Sequence, residues 1–182
     1  ISSDLSACSL TVRNNANITV NPNVNVTLNG PLTVSSGSFT LNNNANLIQT
    51  TNTNNSGNII VKRNSSPLMR FDYTLWSSPV ANQNLYSFSP DTAANRFYIY
   101  DEPTDQYNSL SSNNSFTVGR GYLIRVPRTF SATTPGVFTG IFTGKPNSGD
   151  ITYGMSKSLN GFNAVGNPYP SQINVHNFID AN

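Results

Sequence analysis

The sequence predicts an all-β protein in which a short N-terminal parallel β-solenoid is followed by a β-sandwich or jelly-roll-like domain. Short runs of alternating apolar and polar residues recur, turns rich in Asn, Gly, Pro and Ser separate them, and aromatic residues concentrate in the second half. The composition changes near residue 64. We therefore divide the 182 residues into an Asn-rich region, 1–63, and an aromatic-rich region, 64–182.

The Asn-rich region contains seven runs of three to five residues with a period of two, which is typical of half-buried strands. Three sequence words return downstream in nearly the same form: Leu10-Thr-Val at Leu32, Asn14-Asn-Ala-Asn-Ile at Asn43, and Asn17-Ile-Thr-Val at Asn58. Their offsets are unequal, and a degenerate parallel coil of about 20 residues per turn fits them best. An antiparallel meander with Asn-rich hairpins is the alternative.

The polarity of the chain comes from Asn, Ser and Thr and not from charge. Only 10% of the residues are charged, against about 25% in typical domains, and 29 are Asn. Asn side chains hydrogen-bond nearby backbone groups and favour turns. In a coil, stacked Asn side chains also bond to each other and to the turn backbone.

The aromatic-rich region predicts longer strands and one short helix, with Gly and Pro between them, as in a sandwich. The predicted strands are Met69–Trp76, Arg96–Asp101, Phe116–Val126, Val137–Thr143, Asp150–Met155 and Phe162–Val165, and the predicted helix is Ile173–Ile179.

An internal repeat accompanies these elements. Asp72–Pro79 resembles Gly161–Pro168, and further along Leu85–Phe88 aligns with Val175–Phe178. The second copy lacks the strands that follow the first, so we expect the polypeptide to extend beyond Asn182.

Residues suited to catalysis are scarce. Cys8 is the only cysteine and has no flanking base, and His176 is the only histidine, whereas imidazole metal sites use several ligands at set spacings. No Gly-x-Ser-x-Gly segment or Gly-rich phosphate loop occurs. The coil of about 55 residues is too short for the groove of a solenoid polysaccharide lyase. We therefore predict that the protein is not an enzyme and has neither catalytic residues nor a cofactor.

Two groups of side chains are candidates for binding. Asp101, Glu102 and Asp105 share one acidic loop and offer oxygen ligands for Ca²⁺, with a solvated turn as the alternative. Five aromatic residues are candidates for stacking on sugar rings if a sheet face exposes them: Trp76, Tyr98, Tyr100, Tyr107 and Tyr122. The strand Arg96–Asp101 is apolar on both faces, which favours burial between two layers instead.

Charge and hydropathy argue against two classes of partner. The net charge is +2, and the ten Lys and Arg residues are scattered instead of forming a basic stripe, so we expect no binding to nucleic acid. No apolar run approaches the ~20 residues of a membrane-spanning helix, so we expect no membrane span.

Four segments carry a resemblance to a known group of proteins: Asn58–Asn64, Tyr73–Val80, Gly119–Arg125 and Val165–Ser171. They resemble segments of large secreted or cell-surface proteins of the Bacteroidota that the type IX secretion system exports. The resemblance implies an extracellular or outer-surface location. Asp91-Thr92-Ala93 also resembles the O-glycosylation signal of these bacteria, which implies Thr92 as a modification site.

These observations predict a non-catalytic extracellular structural or adhesion module of a bacterial surface protein. Its expected partners are other surface proteins or copies of itself, because open solenoid ends and unpaired strand edges are sites where copies add head to tail into a filament. The alternative function is a carbohydrate-binding accessory module of a secreted polysaccharide-degrading enzyme, with glycans as partners.

Overall fold

The structure, a computed structural model, describes residues 1–181 and is mostly β-strand. Within these residues it has 13 strands, one 3₁₀ turn and two short helices, which confirms the all-β prediction. The strands are β1 (Leu5–Ala7), β2 (Leu10–Val12), β3 (Asn17–Val20), β4 (Asn25–Leu28), β5 (Leu32–Val34), β6 (Ser38–Leu41), β7 (Asn46–Gln49), β8 (Ile59–Leu68), β9 (Tyr73–Trp76), β10 (Phe97–Asp101), β11 (Gln106–Leu110), β12 (Tyr122–Arg125) and β13 (Gly136–Gly144). The helices are α1 (Leu85–Phe88) and α2 (Val175–Asp180), and the described residues contain no helix of the length and hydropathy that a membrane crossing requires.

Strands β1 to β8 pair in parallel with strands one repeat further along the chain. One sheet has the order β1-β4-β7, a second pairs β2 with β5, and a third runs from β3 through β6 to β8. The register sets Leu5 opposite Val26, 21 residues later, and Leu10 opposite Leu32. Because these pairs are parallel, the antiparallel meander is not what this region forms.

Alternation within each strand decides what is buried in this parallel part. In β4, Val26 and Leu28 are fully buried, and in β6 Phe39 and Leu41 are as well, while the residues between them are only partly covered. Burial of such side chains contributes roughly 1.5–3 kcal/mol each. The apolar residues at every second position therefore form the core of the stack.

Asn residues form many of the corners between these strands. Four of them have a positive φ, between 55° and 64°: Asn14, Asn15, Asn23 and Asn44. Asn enters this left-handed region more readily than other non-Gly residues. The conformation of these turns therefore accounts for part of the high Asn content.

Strand β8 takes part in both kinds of pairing. Its first residues continue the parallel sheet beside β6, and its whole length pairs antiparallel with β13, from Ile59 opposite Gly144 to Leu68 opposite Gly136. The predicted boundary between residues 63 and 64 therefore falls inside one strand.

Strands β9 to β12 form a separate antiparallel sheet with the order β11-β10-β12-β9. Aromatic side chains fill the space between this sheet, α1 and β13. Phe88 of α1 stacks on Phe142 of β13 with ring centroids 4.6 Å apart, and Trp76 of β9 lies 5.1 Å from Phe88. Phe88 and Phe142 belong to the same buried cluster as the core of the parallel part, and Trp76 packs against it.

The strand predictions differ from the structure at both polar and apolar segments. Gln106–Leu110 forms β11 although its sequence is mostly polar, because it pairs along the full length of β10. Asp150–Met155 and Phe162–Val165 form no strands, and in the second segment only Val165 bridges to Arg120. In these two segments, side chains bind backbone groups that a strand partner would otherwise bind. For example, the Asn163 side chain accepts a hydrogen bond from the Ser156 N–H at 3.1 Å.

The two copies of the internal repeat share a local structure at their helices. α1 begins after Asn84, whose side chain accepts a hydrogen bond from the Ser87 N–H at 3.0 Å. α2 begins after Asn174, which accepts one from the Asn177 N–H at 3.1 Å. Asn is among the most favourable residues at this capping position. The predicted helix Ile173–Ile179 is confirmed, starting two residues later and ending one residue later.

Candidate functional site

The candidate functional site is the outer face of the sheet formed by β9 to β12. In β10, Phe97 is fully buried, so the alternation of the strand turns Tyr98 and Tyr100 to the opposite face. Tyr107 of β11 lies opposite Tyr100, and Leu123 of β12 lies opposite Tyr98. We define the outer face by eight residues: Tyr73, Leu75, Arg96, Tyr98, Tyr100, Tyr107, Leu123 and Arg125.

This face is open to solvent. Leu75 is 57% exposed, Tyr107 44% and Tyr73 37%. Phe97 is in the core cluster and Ile99 packs against it, whereas Tyr98 and Tyr100 are half-buried on the other face. The prediction that the strand Arg96–Asp101 is buried on both faces is therefore wrong.

Two of the five predicted sugar-stacking residues lie on the inner face of the sheet, where Tyr122 and Trp76 are register partners. Tyr122 is 1% exposed, and its hydroxyl accepts a hydrogen bond from the Thr117 N–H at 2.8 Å. Trp76 is half-buried and packs against Phe88 of α1 and Phe138 of β13. Tyr98, Tyr100 and Tyr107 are therefore the candidates on the outer face.

One end of the outer face carries arginine and aromatic side chains together. Arg125 lies over the ring of Phe71, with 4.7 Å from its guanidinium carbon to the ring centroid, and Arg70 lies 5.8 Å from the same ring. Arg96 donates a hydrogen bond to the Tyr98 hydroxyl at 3.0 Å. We call this group the arginine end: Arg70, Phe71, Tyr73, Arg96 and Arg125.

The electrostatics of Tyr73 reflect these neighbours. Burial raises the pKa of its hydroxyl, and the adjacent Tyr98, whose ring lies 5.9 Å away edge-to-face, raises it further. The positive charges of Arg96 and Arg125 act in the opposite direction on this pKa.

The acidic loop lies at the other end of β10. The Tyr100 hydroxyl donates to Asp105 at 2.6 Å, which raises the pKa of Tyr100 to about 12. Asp101 accepts a hydrogen bond from the Thr104 hydroxyl at 2.6 Å. In residues 1–181 no group of three or more His, Cys, Asp or Glu side chains is arranged to hold a metal ion.

Glu102, the third acid of this loop, is buried and binds the backbone of a distant segment. Its carboxylate accepts hydrogen bonds from the N–H groups of Ser158 and Leu159 at 2.7 Å and of Gly161 at 2.9 Å. These bonds, the one from Ser158 first, lower the pKa of Glu102 to about 2. Protein donors thus occupy the oxygens that were predicted to bind calcium.

The remaining single candidates do not form a site. Thr92 is only 3% exposed, and its hydroxyl donates to the Arg125 carbonyl at 2.8 Å, so the prediction of a glycosylation site in an open loop does not fit the folded structure. Cys8 is exposed and His176 lies on an exposed position of α2.

Sequence analysis missed Tyr73, Arg96 and Arg125. They are up to 52 residues apart in the chain, and only the strand order β10-β12-β9 brings them side by side. The alternation of residues 96–101 predicts which side chains share a face of β10, but no local signal in the sequence identifies the strands next to it.

Comparisons with known proteins identify one family. A family model described as a domain of unknown function, DUF8693, matches residues 1–182. No curated protein and no solved structure matches the chain.

Proposed function

The chain belongs to the DUF8693 family, and on that premise we propose that it is a non-catalytic extracellular structural or adhesion module of a bacterial surface protein. The observation that carries the proposal is the parallel stack β1–β8, in which residues 21 apart lie opposite each other. We take this stack to be a short β-solenoid, and the antiparallel sheets around the aromatic cluster to be a β-sandwich. Stacked β-coils are a common architecture of extended, rigid molecules.

Side-chain ladders support a structural role. Asn46 donates its Nδ2–H to Asn25 Oδ1 at 2.8 Å, and Asn25 donates in turn to the carboxylate of Asp4 at 3.1 Å. Asn17 accepts from the Ser38 hydroxyl at 2.8 Å on another side of the stack. These ladders add hydrogen bonds between successive strands of the stack, and none of these bonds is an ion pair.

Strand edges of the stack support self-association. Within the described residues β1, β2 and β3 each pair with a strand on one side only, and the Ile1 amino group donates to the Thr19 carbonyl of β3 at 2.7 Å. At β5 and β7, Ser56 donates to the Leu32 carbonyl and Leu47 donates to the Pro170 carbonyl, so backbone from later in the chain covers those edges. We propose that copies associate through the remaining unpaired edges, as in the filament predicted from the sequence.

Light scattering after gel filtration tests this assembly. Concentration-dependent association is expected, and a charge introduced by Thr11→Lys on β2, which pairs on one side only, is expected to weaken it. Thr33→Lys on the paired neighbouring strand is the control. A monomer at every concentration contradicts the assembly but leaves the structural role standing.

The proposed location rests on the resemblance to type IX-exported proteins of the Bacteroidota. Protease treatment of intact cells of a bacterium that carries the gene tests it. Release of peptides from this chain is expected, and full protection until the cells are lysed contradicts an outer-surface location.

Adhesion is tested with beads that carry the purified chain. Coated beads are expected to stay on polysaccharide or bacterial surfaces under flow, whereas beads with the heat-unfolded chain are expected to wash off. Equal loss of both kinds of bead from every surface contradicts the adhesion proposal.

The open tyrosine face supports a second candidate, a carbohydrate-binding accessory module. Tyrosine rings at a surface offer large apolar faces at a low cost in side-chain entropy. Retention on insoluble polysaccharide is expected, and Tyr107→Ala is expected to reduce it because Tyr107 is exposed on the outer face. Tyr86→Ala is the matched control, since Tyr86 is an equally exposed tyrosine on α1. No retention on any glycan contradicts this candidate.

A further inference from the structure

The arginine end places the backbones of two arginines opposite each other. The Arg125 N–H donates to the Arg96 carbonyl at 3.1 Å, and Arg125 is the register partner of Tyr73 on its other side. Like charges at opposite positions of antiparallel strands destabilise a sheet. An anionic ligand bound to either guanidinium group offsets this repulsion.

The partners of these two guanidinium groups are neutral. Among the described residues, Arg96 donates to the Tyr98 hydroxyl and to the Asn95 carbonyl, and Arg125 donates to the Arg70 carbonyl at 3.2 Å. An Arg guanidinium has five N–H donors in a planar fork that matches a carboxylate. Donors thus remain for a ligand at both residues.

Aromatic rings lie directly beside these charges. Phe71 is 62% exposed, and Tyr73 is the next outward-facing residue of the same segment. From Arg96 to Tyr100 the outer face extends about 13 Å along β10. The face is therefore long enough for an extended ligand to contact the arginine end and the tyrosines at the same time.

We propose that the arginine end binds the carboxylate groups of uronic acid units in an acidic polysaccharide, while the tyrosines of the outer face stack on neighbouring sugar rings. The inference rests on the carbohydrate-binding candidate above and names its class of ligand. In a uronic acid, a planar carboxylate lies beside the apolar face of a sugar ring. This arrangement is complementary to a protein surface on which a guanidinium group lies beside an aromatic side chain. Because the attraction is electrostatic and lies at the surface, salt weakens it.

Binding of immobilised oligogalacturonate, measured by biolayer interferometry, tests the proposal. We expect binding by the full chain at about 0.05 M NaCl and much weaker binding at about 0.5 M. Arg96→Gln and Arg125→Gln are each expected to lower the affinity about tenfold or more. Arg125→Lys, which keeps the charge but loses the fork, is expected to recover only part of it. Arg13→Gln, at an exposed arginine of the parallel part, is the control and is expected to have no effect.

Thermal unfolding of each variant shows that the fold is intact, and salt titration of the unmodified chain tests the electrostatic contact without any substitution. Three parallel ligands separate the outcomes: a neutral cello-oligosaccharide, a dextran sulfate fragment, which carries sulfates but no carboxylates, and single-stranded DNA. Binding of the neutral sugar alone overturns the inference but leaves the carbohydrate-binding candidate standing, and binding of no glycan overturns both. Equal affinity for dextran sulfate or DNA, with the same dependence on the two arginines, overturns the assignment to uronic acids.

Discussion

At the scale of single residues, side chains satisfy backbone groups that no strand partner reaches. Glu102 accepts three N–H bonds from residues 158–161, a segment without regular strand structure. Asn55 accepts the Leu32 N–H at 2.9 Å where the parallel stack ends, and donates to the Pro146 carbonyl at 3.1 Å. Unpaired buried backbone groups destabilise a fold. These side chains supply the hydrogen bonds that a neighbouring strand would otherwise make.

The Glu102 contacts predict a dependence of stability on pH. The pKa of Glu102 is about 2 in the folded chain, below its ordinary value of 4.5, so folding favours the charged form. Its contribution is complete above about pH 4.5 and is lost as the pH falls towards about 2. Glu102→Gln is therefore expected to lower the urea midpoint at neutral pH.

Urea unfolding of the original chain and Glu102→Gln at several pH values measures this effect. The difference between the two midpoints is expected to shrink as the pH falls from about 5 to about 2. Asp91→Asn, at an exposed carboxylate, serves as the control. A difference that does not change with pH would show that the charge of Glu102 is not what holds residues 158–161.

At the scale of elements, the recurring sequence words have two different structural origins. Leu10-Thr-Val and its copy at Leu32 are direct partners in β2 and β5. Asn17-Ile-Thr-Val and the copy at Asn58 lie in β3 and at the start of β8, with β6 between them. The words at Asn14 and Asn43 are not opposite each other. They form similar turns before β3 and β7, with φ of 56° at Asn15 and 64° at the equivalent Asn44.

The Asn ladder predicts a measurable contribution to the stability of the stack. Asn25 lies between Asp4 and Asn46, and Asn25→Ala removes the acceptor for the Asn46 side chain, which is only 9% exposed. The free energy of unfolding is expected to fall by about 1–2 kcal/mol, because one partly buried hydrogen bond is lost and its donor is left with a weaker partner.

Chemical denaturation measures this change, with Asn54→Ala in an exposed loop as the matched control. The control is expected to change the free energy of unfolding by less than about 0.5 kcal/mol. If both substitutions have equal effects, the ladder does not stabilise the stack.

At the scale of the whole molecule, one buried cluster joins the parallel and antiparallel parts. β8 pairs with β6 on one side and with β13 on the other, and Val61 and Phe142 are register partners inside the same cluster. We therefore expect the two parts to unfold together, although the sequence divides them by composition at residue 64.

Trp76 makes this expectation testable, because it is the only tryptophan and lies in the aromatic cluster. Its fluorescence and the far-ultraviolet circular dichroism of all strands are expected to follow one urea transition. Phe142→Ala is expected to shift both signals together and to lower the free energy of unfolding by about 3–5 kcal/mol. Ile141→Ala, on the 47% exposed side of the same strand, is expected to have a much smaller effect. Two separate transitions would show that residues 1–63 unfold independently.

The sequence by itself determined the all-β class, the short strands with a period of two and the Asn-rich corners. These are local properties: alternation fixes which side chains share a face, and Asn accepts the backbone angles of tight turns. The tertiary structure alone decided which faces are covered and which strands are neighbours. That is why Trp76 and Tyr122 lie on the inner face of the sheet while Tyr98 lies on the outer face, and why Arg96, Arg125 and Tyr73 are neighbours across the sheet. Strand order depends on packing between segments that are distant in the chain, so it cannot be read from any short stretch of sequence.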